Sequence, residues 1–307
     1  MEIINGDGDD WSNHYSEDRR RVKESKKLHR KHEEKLRRKK NSDVLKAFGL
    51  ICGFAILVSL ASIGNVDTDL SVLESVAKLP VGQLEFCVPS KDLDFENADF
   101  SDSDLSRANL CSANLNFANF ENSNLQGANL RDANLRGARF TFSDLRGAYL
   151  LRTDMHSADL TQANLESSTL IRATLNWAEL SGANLRQSNL YSADLRNANL
   201  SSANLSKTNL RQVAATYANL TGANFAYANL VNADLREANL SGANLAYADL
   251  SGANLRGANL SDANLWGAKL YQTEISCTSL EFEPDSFSGV DLTVTKSKWV
   301  YGDDCSG

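Results

Sequence analysis

The stretch from Ser251 to Leu270, SGANLRGANLSDANLWGAKL, places a leucine at every fifth residue and an alanine two residues before each leucine. On an α-helix each residue turns the chain by about 100°, so leucines five apart would move around every side of the helix. In a straight strand the side chains alternate between two faces, so an odd spacing sends successive leucines to opposite surfaces. Neither element therefore gives this segment one hydrophobic core.

The same spacing runs through most of the 307-residue chain. From Phe95 to Leu280, all 38 positions numbered in multiples of five hold Leu, Phe, Met or Ile, except Ala215. Of the 38 positions that lie two residues earlier, 27 hold Ala and nine hold Ser or Thr. The remaining two hold the larger residues Leu93 and Val213. Three extended residues followed by a two-residue turn would point the large and the small side chain inward together. The repeat therefore predicts an all-β solenoid of about nine coils, each closed by four pentads and stacked about 4.8 Å apart.

The repeated motif ANLSGANL resembles the pentapeptide-repeat family, and the resemblance extends over residues 91–283. It implies a right-handed quadrilateral β-helix in which the central Leu or Phe and the preceding small residue fill the interior, while the other three positions face outward. It implies no single activity, because members of this family differ in function and a shared fold does not fix one.

One pentad departs from the pattern, in the segment RQVAATYANL at 211–220. Val213 is larger than the usual Ala, and Ala215 is smaller than the usual Leu. The two changes are opposite in volume, which predicts local repacking of a narrow core. A binding cleft at this break is the functional alternative.

A membrane span is predicted ahead of the repeat. Residues 47–66 contain no charged side chain over 20 positions, which is enough for a helix to cross a bilayer core of about 30 Å. The preceding segment 19–40 carries 13 Lys or Arg against three Glu. Positively charged flanks stay in the cytoplasm, so we expect an uncleaved signal anchor with the repeat in the periplasm or thylakoid lumen. A cleaved signal peptide and a buried soluble helix are the alternatives.

These patterns divide the chain into five parts. Ser71 and Glu74 stand at capping-box spacing before an apolar face, which predicts a short amphipathic helix that covers the first coil. The predicted parts are a cytoplasmic basic segment at 1–46, a transmembrane helix at 47–66, a linker and capping helix at 67–90, the repeat β-helix at 91–283 and a C-terminal cap at 284–307. The span and the basic segment would contact membrane lipid, since basic residues are attracted to anionic headgroups.

The sequence offers no catalytic constellation. His156 is the one histidine of the repeat, and the chain has no Gly-rich phosphate loop and no zinc-spaced Cys and His cluster. A nucleophile, a base and an orienting group cannot be assembled from such a set. We therefore expect no catalytic residue, no cofactor and no metal. Nucleic acid is not favoured as a partner, because the basic segment lacks interleaved aromatic residues.

Four cysteines flank the repeat: Cys87 and Cys111 at its beginning, and Cys277 and Cys305 at its end. Outside the cytosol, cysteines pair readily, so two local disulfides that hold the two ends are expected. Free thiols are the alternative.

Residues 20 apart would stack in outward columns on such a coil. Leu151, Ile171 and Tyr191 form an apolar stripe in one column, and Tyr227 and Tyr247 stack in another. Each column can stabilise the solenoid as a ladder or form a binding surface for a partner.

The predicted function is a non-catalytic, membrane-tethered scaffold that presents a rigid rod to an unidentified protein partner on the extracytoplasmic side. The alternative follows from family members that resemble duplex DNA and act on a topoisomerase, DNA gyrase. That role needs a cytosolic rod with concentrated negative charge, whereas residues 91–283 hold 21 acidic and 15 basic residues.

Overall fold

The computed structural model describes residues 94–276 and residue 278, which form a continuous stack of coils. The residue before each central Leu or Phe pairs in a parallel bridge with the residue 20 positions later, from Asp94 with Asn114 to Asn254 with Glu274. This constant offset means that every coil contains 20 residues, or four pentads, as predicted. The segments predicted at 1–46, 47–66, 67–90 and 284–307 lie outside the described residues.

Each pentad contains one sharp turn. In the first described turn, the N–H of Ala98 donates to the carbonyl of Phe95 at 3.0 Å, and the third turn residue, Asn97, has a φ of 60°. A positive φ at this position is the geometry of a type II turn. The same position keeps a positive φ from Asn97 to Gln272, in 27 non-glycine residues and nine glycines. Four such turns per coil give the square cross-section.

The coils are joined by backbone hydrogen bonds along the rod. The N–H of Phe100 donates to the carbonyl of Asn119 at 2.7 Å, and the N–H of Asn119 donates to the carbonyl of Ala98 at 2.9 Å. The next turn begins before a second bridge can form, so among residues 94–276 the pairing stays as isolated bridges. The expected three-residue extended segments are therefore reduced to one bridged residue per pentad.

No helix occurs in the part of the chain that the structure describes, and hence none there has the length and hydropathy to span a bilayer. The span predicted at 47–66 falls outside that part and stays a prediction.

The interior is filled as the repeat predicts. From Phe100 to Ile275, every residue numbered in multiples of five is at most 4% exposed, and the residues two positions before them are buried as well from Ala108 onward. Burying one such Leu or Phe contributes roughly 1.5–3 kcal/mol relative to leaving it in water. Near the N-terminal end, Phe120 stacks on Phe100 and Phe140, with ring centroids 5.2 and 4.8 Å away.

The irregular pentad is also part of the core. Val213 and Ala215 are both 2% exposed, which confirms that both side chains point inward. Since neither side chain opens to solvent, the observation favours repacking over a cleft.

Candidate interaction surfaces

The square coil gives the rod four sides and four corners, and each has its own column of outward residues. Side I contains residue 94, side II residue 99, side III residue 104 and side IV residue 109, and each column continues at every twentieth residue. Corners I to IV follow these sides in order, at residues 96–97, 101–102, 106–107 and 111–112 and every 20 residues thereafter.

The asparagine of the repeat has a role that the sequence pattern did not reveal. Asn184 donates from Nδ2 to Oδ1 of Asn164 at 3.0 Å, and Asn204 donates to Oδ1 of Asn184 at 3.3 Å. The Oδ1 of Asn184 also accepts the N–H of Arg186 at 3.2 Å. This N–H lies at the corner and has no backbone acceptor. The side chain of Asn184 therefore supplies its hydrogen-bond acceptor and also joins three successive coils.

The apolar stripe predicted from the sequence lies at corner IV. Leu151, Ile171 and Tyr191 occupy consecutive coils, and each is half-buried. The hydroxyl of Tyr191 donates to Oε1 of Gln212 at 2.7 Å. Tyr149 lies next to the stripe on side IV and is exposed. The structure thus brings the three predicted residues together, and their binding of a partner stays a prediction.

A more exposed aromatic cluster lies at corner III and consists of Tyr227, Tyr247 and Trp266. The rings of Tyr227 and Tyr247 stack at 4.8 Å with an interplanar angle of 11°, and Trp266 meets Tyr247 edge-on at 4.7 Å. The three side chains are 58%, 40% and 46% exposed. The spacing of 20 residues predicted the tyrosine pair, but Trp266 was missed because it stands one position earlier in its pentad.

A glycine supports this cluster. A Cβ on Gly267 would lie 2.8 Å from Cδ1 of Tyr247, closer than side-chain contacts allow. Gly137 has the same relationship to the ring of Phe117, at 2.7 Å. A ring at the corner therefore leans over the following coil, and a glycine in that coil leaves space for it.

Charge is unevenly distributed around the rod. The described residues hold 18 acidic and 14 basic side chains, a net charge of −4. Corners III and IV together hold eight basic residues and two acidic ones, a net charge of +6. The basic residues are Arg107, Arg146, Arg186 and Lys207 at corner III and Arg131, Arg152, Arg172 and Arg211 at corner IV; the acidic ones are Glu166 and Asp132. We call the part of side IV and of these two corners that lies between residues 106 and 212 the basic side.

Some of these cations are paired and others are not. Arg152 donates from Nε and Nη2 to the two carboxylate oxygens of Asp132 at 2.6 and 2.7 Å, and this hydrogen bonding lowers the pKa of Asp132. Arg186 similarly donates to Glu166 at 2.6 Å. Arg172 and Arg211 are exposed, and neither forms an ion pair with any of the described residues.

Cys111 lies at corner IV near the beginning of the rod. It is 2% exposed and disulfide-bonded. The other four cysteines, among them Cys87, Cys277 and Cys305, lie outside the described residues, so the partner is not assigned. The pairing of Cys87 with Cys111, and of Cys277 with Cys305, stays a prediction.

Among residues 94–276 and 278, no three His, Cys, Asp or Glu side chains come together in a group that could hold a metal ion. Most of the acidic groups occur singly at the bridge positions, where several accept hydrogen bonds from arginine, as Asp234 does from Arg236 at 2.7 Å. The outward side chains of this part of the chain include aromatic rings, amides and arginines.

The chain belongs to the pentapeptide-repeat family. The family model for pentapeptide repeats matches overlapping segments that run from 92–127 to 238–276, which together cover more than half of the chain. This confirms the resemblance and the fold class, a right-handed quadrilateral β-helix, whereas the number of coils stays a prediction because both ends of 91–283 lie outside the described residues. Proteins of the family are generally non-catalytic repeat proteins.

Several solved structures resemble the chain. HetL, a pentapeptide repeat protein involved in heterocyst differentiation regulation from the cyanobacterium Nostoc sp. strain PCC 7120, is 32% identical, with 66% of this chain and 86% of HetL covered and a TM-score of 0.59. QnrB1, a plasmid-mediated fluoroquinolone resistance protein, is 20% identical, with 57% and 87% covered and a TM-score of 0.39. A pentapeptide repeat protein from the Arabidopsis thaliana thylakoid lumen is 31% identical, with 36% and 67% covered and a TM-score of 0.16. None of the curated proteins compared with the chain matches it.

Proposed function

We propose that this protein is a non-catalytic, membrane-tethered rod that binds a protein partner on the extracytoplasmic side through the aromatic cluster of Tyr227, Tyr247 and Trp266. The observation that carries the proposal is the exposure of three contacting aromatic rings at one corner of an otherwise regular solenoid. Tyr and Trp dominate the residues that contribute most to protein–protein binding.

The surroundings of the cluster suit a docking site. Ala226 and Ala246 precede the two tyrosines at the corner, and Gly267 follows Trp266, so small residues leave the rings accessible. The corner is also fixed, because the N–H of Tyr247 donates to the carbonyl of Trp266 at 2.8 Å. Aromatic side chains that are already ordered lose little conformational entropy on binding.

The extracytoplasmic location is supported by two features. The uncharged run at 47–66 follows a strongly basic segment, which is the pattern of a signal anchor with a cytoplasmic N-terminus. The disulfide at Cys111 favours an oxidising compartment, since disulfides seldom persist in the cytosol. A periplasm and a thylakoid lumen both meet this condition.

The alternative role as a DNA mimic that acts on a topoisomerase is not supported by the charge pattern. Such a mimic needs a continuous negative surface to replace the phosphates of a duplex. Corners III and IV instead carry a net charge of +6 along one side of the rod, and the other described residues, with a net charge of −10, include five arginines, so negative charge does not surround the rod as phosphates surround a duplex.

Photocrosslinking in the native host cells tests the proposal. A benzophenone amino acid replaces Tyr247 in the full chain, and the same residue replaces Tyr217 as a matched control. Tyr217 stands at the equivalent turn position of corner I and is 63% exposed, but it contacts no other ring among the described residues.

We expect a discrete protein adduct from position 247 and none from position 217. Replacing Trp266 by Ser should reduce the adduct about tenfold or more, because loss of such an anchor weakens binding by about 2 kcal/mol. Equal adducts from both positions, or an adduct indifferent to Trp266→Ser, would contradict the proposal.

A further inference from the structure

The basic side of the rod combines cations with apolar side chains in one line. At corner IV, the half-buried Leu151, Ile171 and Tyr191 alternate along the chain with the exposed Arg152 and Arg172. Further along the rod, Arg211 and Val231 occupy the first position of the same corner. Cations and apolar side chains therefore share this corner from Leu151 to Val231.

The net charge of this side is opposite to that of the remaining rod. Corners III and IV carry +6, side IV carries one Asp and one Lys, and the other described residues therefore carry −10. The basic residues of these corners stop at Arg211, and the aromatic cluster occupies corner III beyond that point. The basic side and the cluster thus follow one another along the rod.

We propose that the basic side lies against the anionic lipid surface of the membrane that holds the tether. This inference rests on the proposed function in one respect, because it requires the span at 47–66 to keep the rod beside a bilayer. Residues 67–93 connect the two, and 27 extended residues reach at most about 95 Å, so the rod remains within reach of the surface.

Charge complementarity supports the lipid as occupant. Each arginine close to an anionic membrane contributes about 1 kcal/mol, and Arg172 and Arg211 have no competing ion pair among the described residues. Tyr149 and Tyr191 add amphipathic rings of the kind that settle at headgroup level. The tether itself raises the effective concentration of the rod at the surface, so a modest affinity is sufficient.

The shape of the basic side favours a bilayer over a second protein. Leu151, Ile171 and Tyr191 are each half-buried in the corner, so the stripe is shallow and offers no projecting anchor. Strong protein interfaces concentrate binding in deeply inserted aromatic groups, as the aromatic cluster would allow. A long, shallow line with a net positive charge is instead suited to a plane of headgroups.

Photocrosslinking to lipid tests this inference with the full chain in vesicles. The vesicles contain phosphatidylcholine with or without 30% phosphatidylglycerol, and a small fraction of a phospholipid with a photoreactive headgroup. Adducts are assigned to residues by mass spectrometry after proteolysis. Washing in alkaline carbonate shows first whether the chain is anchored in the bilayer; loss of the chain at this step would refute the proposed tether.

Two charge reversals give a matched comparison, Arg211→Glu and Arg256→Glu. Both arginines are exposed, occupy the first turn position, and donate their N–H to Oδ1 of an asparagine two residues earlier, at 3.3 and 3.0 Å. Neither forms an ion pair with the described residues. Arg211 belongs to the basic side, whereas Arg256 lies at corner I.

We expect lipid adducts on the basic side, present with phosphatidylglycerol and reduced by 0.5 M salt. Arg211→Glu should lower them about fivefold, while Arg256→Glu leaves them unchanged, since one reversed charge removes about 1 kcal/mol or more of attraction. An anchored chain without these adducts, or with adducts spread evenly over all corners, overturns the inference. The inference is also overturned if the basic side crosslinks to a protein in cells and forms no lipid adducts.

Discussion

Asn184 donates its side-chain amide to Oδ1 of Asn164 one coil earlier, at 3.0 Å, and accepts the amide of Asn204 one coil later, at 3.3 Å. Similar bonds join Asn209 to Asn189 at 2.9 Å on another side of the rod. The asparagine of the repeat is therefore a structural residue that joins successive coils, although it faces outward. This relationship makes the outer surface of the rod part of what stabilises it.

Replacing Asn184 by Ala should destabilise the rod by about 1–3 kcal/mol, because it removes both amide bonds and leaves the corner N–H of Arg186 without its acceptor. Chemical denaturation of the variant measures this change. Lys207→Ala is the control, since the side chain of Lys207 is exposed and forms no hydrogen bond or ion pair among the described residues. Equal stability of Asn184→Ala and Lys207→Ala would contradict the structural role of the asparagine.

Val213→Ala should lower the free energy of unfolding by about 1–3 kcal/mol, because Val213 is 2% exposed and compensates for the missing volume at Ala215. The double variant Val213→Ala with Ala215→Leu restores the regular repeat and should recover most of the loss. Unfolding midpoints of the two single variants and the double variant give the coupling directly. Strictly additive effects would show that the two side chains do not share one space.

Gly267→Ala should disturb the aromatic cluster, because its Cβ would meet Cδ1 of Tyr247 at 2.8 Å. Gly242→Ala is a matched control: its φ is +64° against +67° for Gly267, and a Cβ there meets nothing within 4 Å. Both variants carry the same backbone strain, so any additional loss in Gly267→Ala comes from the ring. Near-ultraviolet circular dichroism should change in Gly267→Ala alone; identical spectra in the two variants would refute this arrangement.

The Asp132–Arg152 pair should contribute to stability only where the carboxylate is charged. Hydrogen bonding from Arg152 lowers the pKa of Asp132 in the folded protein, so the contribution is present above the ordinary aspartate pKa and is lost as pH falls through the lowered value. Asp132→Asn should therefore cost up to about 1 kcal/mol near pH 7, and the difference from wild type should vanish in strong acid.

Asp262→Asn is the control for this titration. Asp262 has the same φ as Asp132, 58°, at the same turn position, and it forms no ion pair among the described residues. Unfolding midpoints measured from pH 2 to pH 7 compare the two variants. A difference for Asp132→Asn that grows toward low pH would have the wrong sign for the pair.

Much of the fold follows from the sequence because one constraint recurs at every pentad. A leucine five residues from the next can reach a shared interior only if the chain turns once per unit, so the coil of 20 residues and the inward Val213 were predictable. The stacking of Tyr227 on Tyr247 follows from the same period.

Features that depend on side-chain direction were not predictable from the period alone. Trp266 reaches Tyr247 from a neighbouring column, because the ring of Tyr247 leans over the next coil. The hydrogen bonds between asparagine side chains of successive coils depend on how the amides of Asn164 and Asn184 are oriented. The period of the sequence shows only that these residues face outward. The asparagine at the same place in most pentads was the signal that could have revealed it.

We propose that the span at 47–66 holds the repeat outside the cytoplasm. It is tested most directly by fusing alkaline phosphatase, which is active only outside the cytoplasm, after Gly307 and, as a control, after Lys46. We expect an active phosphatase after Gly307 and an inactive one after Lys46. Phosphatase that stays inactive after Gly307, together with a fluorescent cytosolic reporter that is active at the same position, would contradict it.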